Sequence, residues 1–283
     1  MKVLVTGATG FIGNYVIDEL LRHKIEVIAT STNEGKARSA SWYPKVIYIE
    51  YQIGPRVDIN LYEYFKKPDK IIHLAWKGLP NYNQPFHIEE NLWYDYHFLK
   101  NLIVHGCTDL TITGTCFEYG MVEGCLVESM VTDPQNSYAI AKDTLRKFLV
   151  ELQKNVHFDL KWVRLFYMYG EGQNPKSLIA QLNKALENGD AVFNMSGGEQ
   201  IRDYLPVEVV SQNILYIALH SSLYGVINNC SGNPVKLIDF VNNYLANKGQ
   251  KIGLNLGYYP YSELEPMAFW GCKEKLDSAK NKL

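Results

Sequence analysis

Residues 3–22 read VLVTGATGFIGNYVIDELLR, and this stretch decides the fold. Val3, Leu4 and Val5 form an unbroken apolar run, the pattern of a parallel strand buried on both faces. Gly7, Gly10 and Gly13 follow with the spacing G-x-x-G-x-x-G, and Tyr15, Val16, Leu20 and Leu21 then recur at helical intervals. Strand, glycine turn and helix together make a phosphate-binding arrangement. Gly7 can take a turn conformation that a side chain disfavours, Gly10 lets the backbone approach a pyrophosphate, and Gly13 lets the helix lie close to the strand. Free N–H groups at the helix start then face the anion. Three glycines alone are a weak signal. Their position between a strand and a helix makes it strong.

The 283 residues can bury a large core and predict one domain plus a smaller lobe. A net charge of −2 suggests neither a nucleic-acid footprint nor an anchor for anionic membranes. No apolar run approaches the ~20 residues of a membrane span. The five cysteines are odd in number and lack C-x-x-C pairs, which predicts reduced thiols in the cytoplasm in place of a disulfide frame or a zinc site.

Further strands are predicted at 26–29, 45–50, 70–75, 110–113 and 161–166, with helices at 61–65, 88–104 and 137–154 and a polar loop at 30–41. The alternation of strand and helix predicts an α/β fold, a doubly wound parallel sheet. Beyond 170 the pattern changes to helices at 176–188, 207–220 and 237–248, short strands at 191–195 and 225–229, irregular structure at 250–272 and a fraying or surface helix at 273–283. Helices 88–104 and 137–154 both carry apolar residues beyond one core face, which predicts a homodimer packed through them.

A dinucleotide fold usually places an acid ~20 residues past the glycines, on the ribose 2′-hydroxyl. Here the end of the second strand reads Thr30, Ser31, Thr32 and Asn33, and Lys36 and Arg38 follow. Hydroxyls and cations suit a 2′-phosphate, so NADP(H) is favoured and NAD(H) is allowed, with Ser31, Thr32 and Arg38 as candidate contacts.

Ser137 to Lys142 contains Y-x-x-x-K on a predicted helix. Residues four apart share a face, so the Lys142 ammonium can lie beside the Tyr138 phenol. A free tyrosine is a poor base at neutral pH, and a neighbouring cation stabilises its phenolate. A hydroxyl at the end of the fifth strand can hydrogen-bond a substrate oxygen whose charge changes as hydride moves. Thr115 is the choice, since Thr113 falls inside the strand.

The set GATGFIG (7–13), HLAW (73–76), GTCFEYG (114–120), NSYAIAK (136–142), RLFYMYGEGQ (164–173) and IRDYLPVE (201–208) resembles the extended short-chain dehydrogenase/reductases, the epimerase/dehydratase branch acting on nucleotide sugars. The resemblance spans nearly the whole chain and implies a Rossmann domain over 1–170 and a smaller nucleotide-sugar lobe over 171–283, with chain segments crossing between the two. It implies the triad Thr115, Tyr138 and Lys142, with Lys142 also on the nicotinamide ribose. It implies cofactor contacts from Gly7, Thr9, Gly10, Phe11, Ile12, Gly13, Leu74, Ala75, Trp76, Asn91 and Leu165, and nucleotide-sugar contacts from Tyr167 and Arg202, with Arg202–Asp203 as a structural ion pair the competing reading. Glu118 is either a sugar contact or a surface carboxylate.

The 4,6-dehydratases of this family carry Asp-Glu after the catalytic Thr. Here Cys116 and Phe117 stand there, and Phe117 cannot move a proton. GTCFEYG, RLFYMYGEGQ and the late block Glu265–Trp270 look like bacterial 4-reductases of nucleotide-linked 4-keto-6-deoxyhexoses, which make activated deoxysugars for surface polysaccharide. The implied reaction is NADPH-dependent reduction at C4. The alternatives are a 4-epimerase that retains NAD and a non-catalytic dinucleotide-sensing regulator, the latter disfavoured because Tyr138 and Lys142 are both present.

Overall fold

The structure is a computed structural model and describes residues 1–55, 58–263 and 265–281. Its centre is a seven-stranded parallel sheet. The strands are β1 (Lys2–Thr6), β2 (Glu26–Thr30), β3 (Ile47–Tyr48), β4 (Lys70–His73), β5 (Asp109–Thr115), β6 (Asp159–Leu165) and β7 (Gly225–Asn229), in the order β7-β6-β5-β4-β1-β2-β3. The order reverses between β1 and β4, and a crevice opens there at the carboxyl ends of the strands. That reversal places Gly7–Gly13 beside the loop that follows β4.

Four long helices cover the two faces: α1 (Phe11–Arg22), α2 (Leu92–Val104), α3 (Ser137–Leu152) and α4 (Val207–Leu219). Val16, Ile17 and Leu20 of α1 pack with Val210, Ile214 and Ile217 of α4 on one face. Phe98, Leu99 and Leu102 of α2 pack with Leu145 and Leu149 of α3 and with Trp162 on the other. Both faces are therefore dry, as the unbroken apolar runs in β1 and β4 require.

Several boundaries differ from the sequence reading for local reasons. The third strand shrinks to two residues. The polar stretch 30–41 holds a short helix, Glu34–Arg38, because the Asn33 carboxamide oxygen caps it by accepting from the Lys36 N–H at 2.8 Å. The helix expected from 88 begins with a π-helical turn, His87–Asn91, ahead of α2. Strand 225–229, assigned to the substrate lobe, is the seventh strand of the sheet. It pairs with β6, and α4 packs on α1, so residues 207–229 return to the Rossmann layer. The stretch 250–272 is not wholly irregular: Gly253–Asn255 pairs with Val192–Asn194, and Phe269–Gly271 pairs with Gly124–Leu126. The C-terminal helix is Glu274–Lys280; Lys282 and Leu283 lie outside the described residues. The smaller lobe has its own core, built around Ile179, Leu182, Phe193, Met195, Val241 and Leu245.

Candidate active site

A cleft of about 760 Å³ opens at the sheet reversal. Its floor is the glycine turn. Gly7 has φ +67°, and a Cβ there would lie 2.9 Å from the Ala75 nitrogen. A Cβ on Gly13 would lie 2.3 Å from the Gly7 carbonyl oxygen. Neither position can carry a side chain, so β1, α1 and the loop 74–76 close on one another as backbone. Gly10 caps α1 and brings no side chain to its first N–H groups. Those donors stay free for a pyrophosphate. Gly7, Thr9, Gly10, Leu74, Ala75, Trp76 and Asn91 line the cleft. Phe11, Ile12 and Leu165 do not line it with their side chains. Phe11 packs edge-on to Tyr15, and Ile12 and Leu165 lie against the core.

At the far end Thr30, Ser31, Thr32 and Lys36 line the wall. The Thr30 hydroxyl is buried and has no hydrogen-bond partner among the described residues. Ser31 shares a 2.9 Å hydrogen bond with the Tyr48 hydroxyl. Arg38 is not brought to this wall. It pairs with Glu34 at 3.2 Å and lies over Tyr43. Lys36 and Arg38 are two residues apart on one short helix, hence on opposite sides, and Lys36 is the one that faces the cleft. The donor set and the Cβ-free floor fit a nicotinamide dinucleotide.

Tyr138 and Lys142 stand one turn apart on α3, and α3 begins where the Asn136 carboxamide accepts the Ala139 N–H at 2.9 Å. Tyr138 is enclosed by Trp76, Tyr82 and His87, with ring centroids 5.5–5.9 Å away. Burial, and then Tyr82, Glu118 and Cys116, push its phenol up, while the Thr115 hydroxyl pulls it down. The phenol is held protonated. This corrects the sequence expectation that Lys142 would lower it: the Lys142 ammonium donates to the Thr113 carbonyl at 2.9 Å and lies 4.1 Å from the Trp76 ring centre. Burial pushes Lys142 down to about 8, against Asp95 and Glu118. Trp76 is fixed in turn by donating from its indole N–H to His87 Nδ1 at 3.0 Å. Asn91 donates to the Lys77 carbonyl at 2.9 Å, which shapes the same wall.

Thr115 ends β5. Its hydroxyl oxygen accepts from the Phe117 N–H at 3.2 Å, and its own N–H donates to Glu118 at 2.9 Å. Glu118 is neither a sugar contact nor a surface carboxylate. It is fully buried and accepts from Trp162 Nε1 at 2.9 Å and from Arg164 Nε at 2.7 Å. The sequence carried a signal for this: Leu160, Trp162 and Arg164 share one face of the strand, and a buried arginine needs a carboxylate. Burial pushes the Cys116 thiol well up, so Cys116 is a filler and not a nucleophile.

On the lobe side, the Tyr167 hydroxyl donates to Glu265 at 2.6 Å, and Arg202 meets the same carboxylate at 3.0 Å. Arg202 is not paired with Asp203, which instead accepts backbone N–H groups of Ser231, Gly232 and Gly271. Glu265 was missed as a site residue, because nothing local in the sequence ties it to Arg202 sixty-three residues earlier. Tyr82, Phe117 and Tyr167 pack edge to face in a wall running from Tyr138 to this pair.

The profile of the NAD dependent epimerase/dehydratase family matches residues 3–228. The chain is 27% identical over 275 residues to dTDP-6-deoxy-L-talose 4-dehydrogenase (NAD(+)) of Aggregatibacter actinomycetemcomitans, covering 96% of this chain and 100% of that protein. It is 25% identical over 272 residues to dTDP-4-dehydro-6-deoxyglucose reductase of Escherichia coli, covering 89% and 84%. The fold is similar to UDP-glucuronic acid 4-epimerase from Bacillus cereus, solved with UDP-glucuronic acid and NAD. The TM-score is 0.83 at 22% identity, covering 99% of this chain and 92% of that one. With the profile matching residues 3–228 and the glycine floor in place, the chain belongs to the NAD dependent epimerase/dehydratase family, in the extended branch of the short-chain dehydrogenase/reductases.

Proposed function

We propose that the chain is a nucleotide-sugar oxidoreductase that interconverts the C4 keto and hydroxyl forms of a nucleotide-linked 6-deoxyhexose, working as a 4-ketoreductase with NADP(H) favoured. The observation that supports this reading is the pairing of Tyr138 and Lys142 one turn apart on α3, both against Trp76, which lines the dinucleotide cleft. A protonated phenol can give its proton to an alkoxide.

The dinucleotide bound in the cleft supplies the hydride. Tyr138 gives its proton to the oxygen developing at C4. The Thr115 hydroxyl accepts from Phe117 N–H, which leaves its own hydrogen to donate to that oxygen. Lys142, over the Trp76 ring that lines the cleft, would hold the ribose. Phe117, Tyr82 and Phe269 offer aromatic rather than charged surface on the lobe side, which suits a sugar lacking the 6-hydroxyl. Lys36 together with Thr30–Thr32, and no carboxylate among them, supports a 2′-phosphate. The relative named for NAD(+) makes this preference the first thing to measure.

The test is oxidation of NADPH and of NADH by purified protein with 4-keto-6-deoxyhexoses on dTDP, GDP and CDP, with the C4 configuration of the product read by NMR. Consumption of the reduced dinucleotide supports the reading. Protein that arrives with tightly bound NAD, consumes none and inverts C4 is a 4-epimerase instead. We also propose a homodimer through α2 and α3, where Trp93, Val104, Ile140 and Val150 are exposed.

A further inference from the structure

Trp76 follows β4 and lines the dinucleotide cleft, yet the same indole touches both members of the proposed catalytic pair. The Lys142 ammonium stands over the ring, 4.1 Å from its centre, and the Tyr138 ring meets it edge to face with centroids 5.9 Å apart. An indole face attracts a cation at this distance through its quadrupole, most strongly where water is excluded. Lys142 is 1% exposed. Its ammonium carries three N–H donors. The Thr113 carbonyl takes one at 2.9 Å. The Trp76 face takes the place of a second acceptor, which leaves one N–H for the ribose.

His87 holds the indole in this position. Trp76 Nε1–H donates to His87 Nδ1 at 3.0 Å, with 19° between the ring planes. An indole nitrogen only donates, so His87 Nδ1 is an acceptor and the imidazole proton sits on Nε2. Nε2 lies 3.0 Å from the Asn81 carbonyl and donates to it. His87 is therefore neutral, and burial together with the Lys142 charge pushes it down, which keeps it so. It is fully buried, opens the π-helical turn His87–Asn91, and packs on Phe86 with centroids 4.4 Å apart. The anchor thus belongs to a packed helical turn. The charged groups acting on Lys142 are Asp95 from α2, which is bonded to His73, and Glu118 from the turn after β5, which is bonded to Arg164.

We propose that Trp76, anchored by His87, is a positioning residue of the catalytic centre: its π face seats the Lys142 ammonium at the cleft wall. One side chain then serves both the cofactor cleft and the amine. The inference rests on Lys142 as the catalytic amine and deepens that reading.

The test places mono-, di- and tetrafluorotryptophan at Trp76 alone. Fluorine withdraws charge from the π face with little change of shape, and the N–H still donates to His87. In lysine-13C-labelled protein without dinucleotide or sugar, with the Lys142 resonance assigned by its loss in Lys142→Met, the wild-type amine titrates near 8. The midpoint falls stepwise along the series, by about one pH unit at full fluorination, a tenfold shift in the equilibrium. The alkaline limb of kcat/KM moves with it, giving roughly tenfold lower activity at pH 9 and little change at pH 6. His87→Leu, which removes the anchor, moves the midpoint in the same direction. A midpoint that is unmoved or raised along the fluorinated series overturns the proposal, and an unmoved midpoint in His87→Leu overturns the role of the anchor. A merely structural indole would leave the titration insensitive to fluorine. The titration needs no substrate, so it separates failure here from failure of the ketoreductase reading.

Discussion

Glu118→Gln distinguishes a strut from a sugar contact. The Glu118 carboxylate takes donors from the Thr115 N–H, Trp162 Nε1 and Arg164 Nε, all away from solvent. Arg164 has little else: one of its terminal nitrogens has no hydrogen-bond partner, and its other support is the Tyr119 ring, 4.3 Å away. Neutralising Glu118 leaves that guanidinium buried without a counter-charge and points an amide N–H₂ at a donor. Breaking a buried pair in this way costs about 3–5 kcal/mol. In urea the unfolding midpoint drops with an unchanged slope, and the melting temperature falls by roughly 10 °C. Because Thr115 N–H loses its acceptor, kcat falls as well. Adding Arg164→Met to Glu118→Gln recovers part of the stability, since the orphaned charge goes. If Glu118→Gln unfolds like wild type and changes only the KM for the sugar, the strut assignment is wrong.

Other substitutions probe the rest of the site. Gly13→Ala puts a Cβ 2.3 Å from the Gly7 carbonyl oxygen, so dinucleotide binding measured by fluorescence falls at least tenfold or the protein does not accumulate folded. Lys36→Ala lowers the ratio of NADPH to NADH efficiency by about tenfold, whereas Arg38→Ala leaves it unchanged; equal effects of the two would contradict the geometry of their short helix. The Lys142 amine, pushed down to about 8 from its ordinary 10.5, is charged below that pH and loses its charge above it, so turnover declines as pH rises through 8. For the proposed homodimer, wild-type protein sediments as a dimer and Val150→Glu combined with Trp93→Glu as a monomer, since both residues are exposed on α2 and α3; wild-type protein that sediments as a monomer contradicts it.

The glycine turn was legible because it is local: strand, turn and helix lie within twenty residues, and the close approach of Gly13 to the Gly7 carbonyl follows from that spacing, whereas the approach of Gly7 to Leu74 and Ala75 does not. Tyr138 and Lys142 were legible for the same reason, being one helical turn apart. What the chain in one dimension hid are interactions across the sheet. Glu118 found Trp162 and Arg164 only when β5 and β6 paired in register, Thr115 opposite Leu165. Asp95 met His73 because α2 crosses β4, and Glu265 met Arg202 because Met267 hydrogen-bonds Ile201. Which segment crosses back to the sheet was not legible, because a short apolar run between two helices, as at 225–229, reads the same at a sheet edge and in a lobe. The effect on Tyr138 was misjudged because a shared helix face brings two side chains near each other, while burial sets the energy of the charged form.

Tyr138→Phe tests the centre of the account most directly. With a nucleotide-linked 4-keto-6-deoxyhexose and the preferred reduced dinucleotide, single-turnover hydride transfer should fall by about 10²–10⁴ while the dissociation constant of the dinucleotide stays within a factor of two or three. Hydride transfer at the wild-type rate in Tyr138→Phe would contradict the assignment of that phenol as the proton donor.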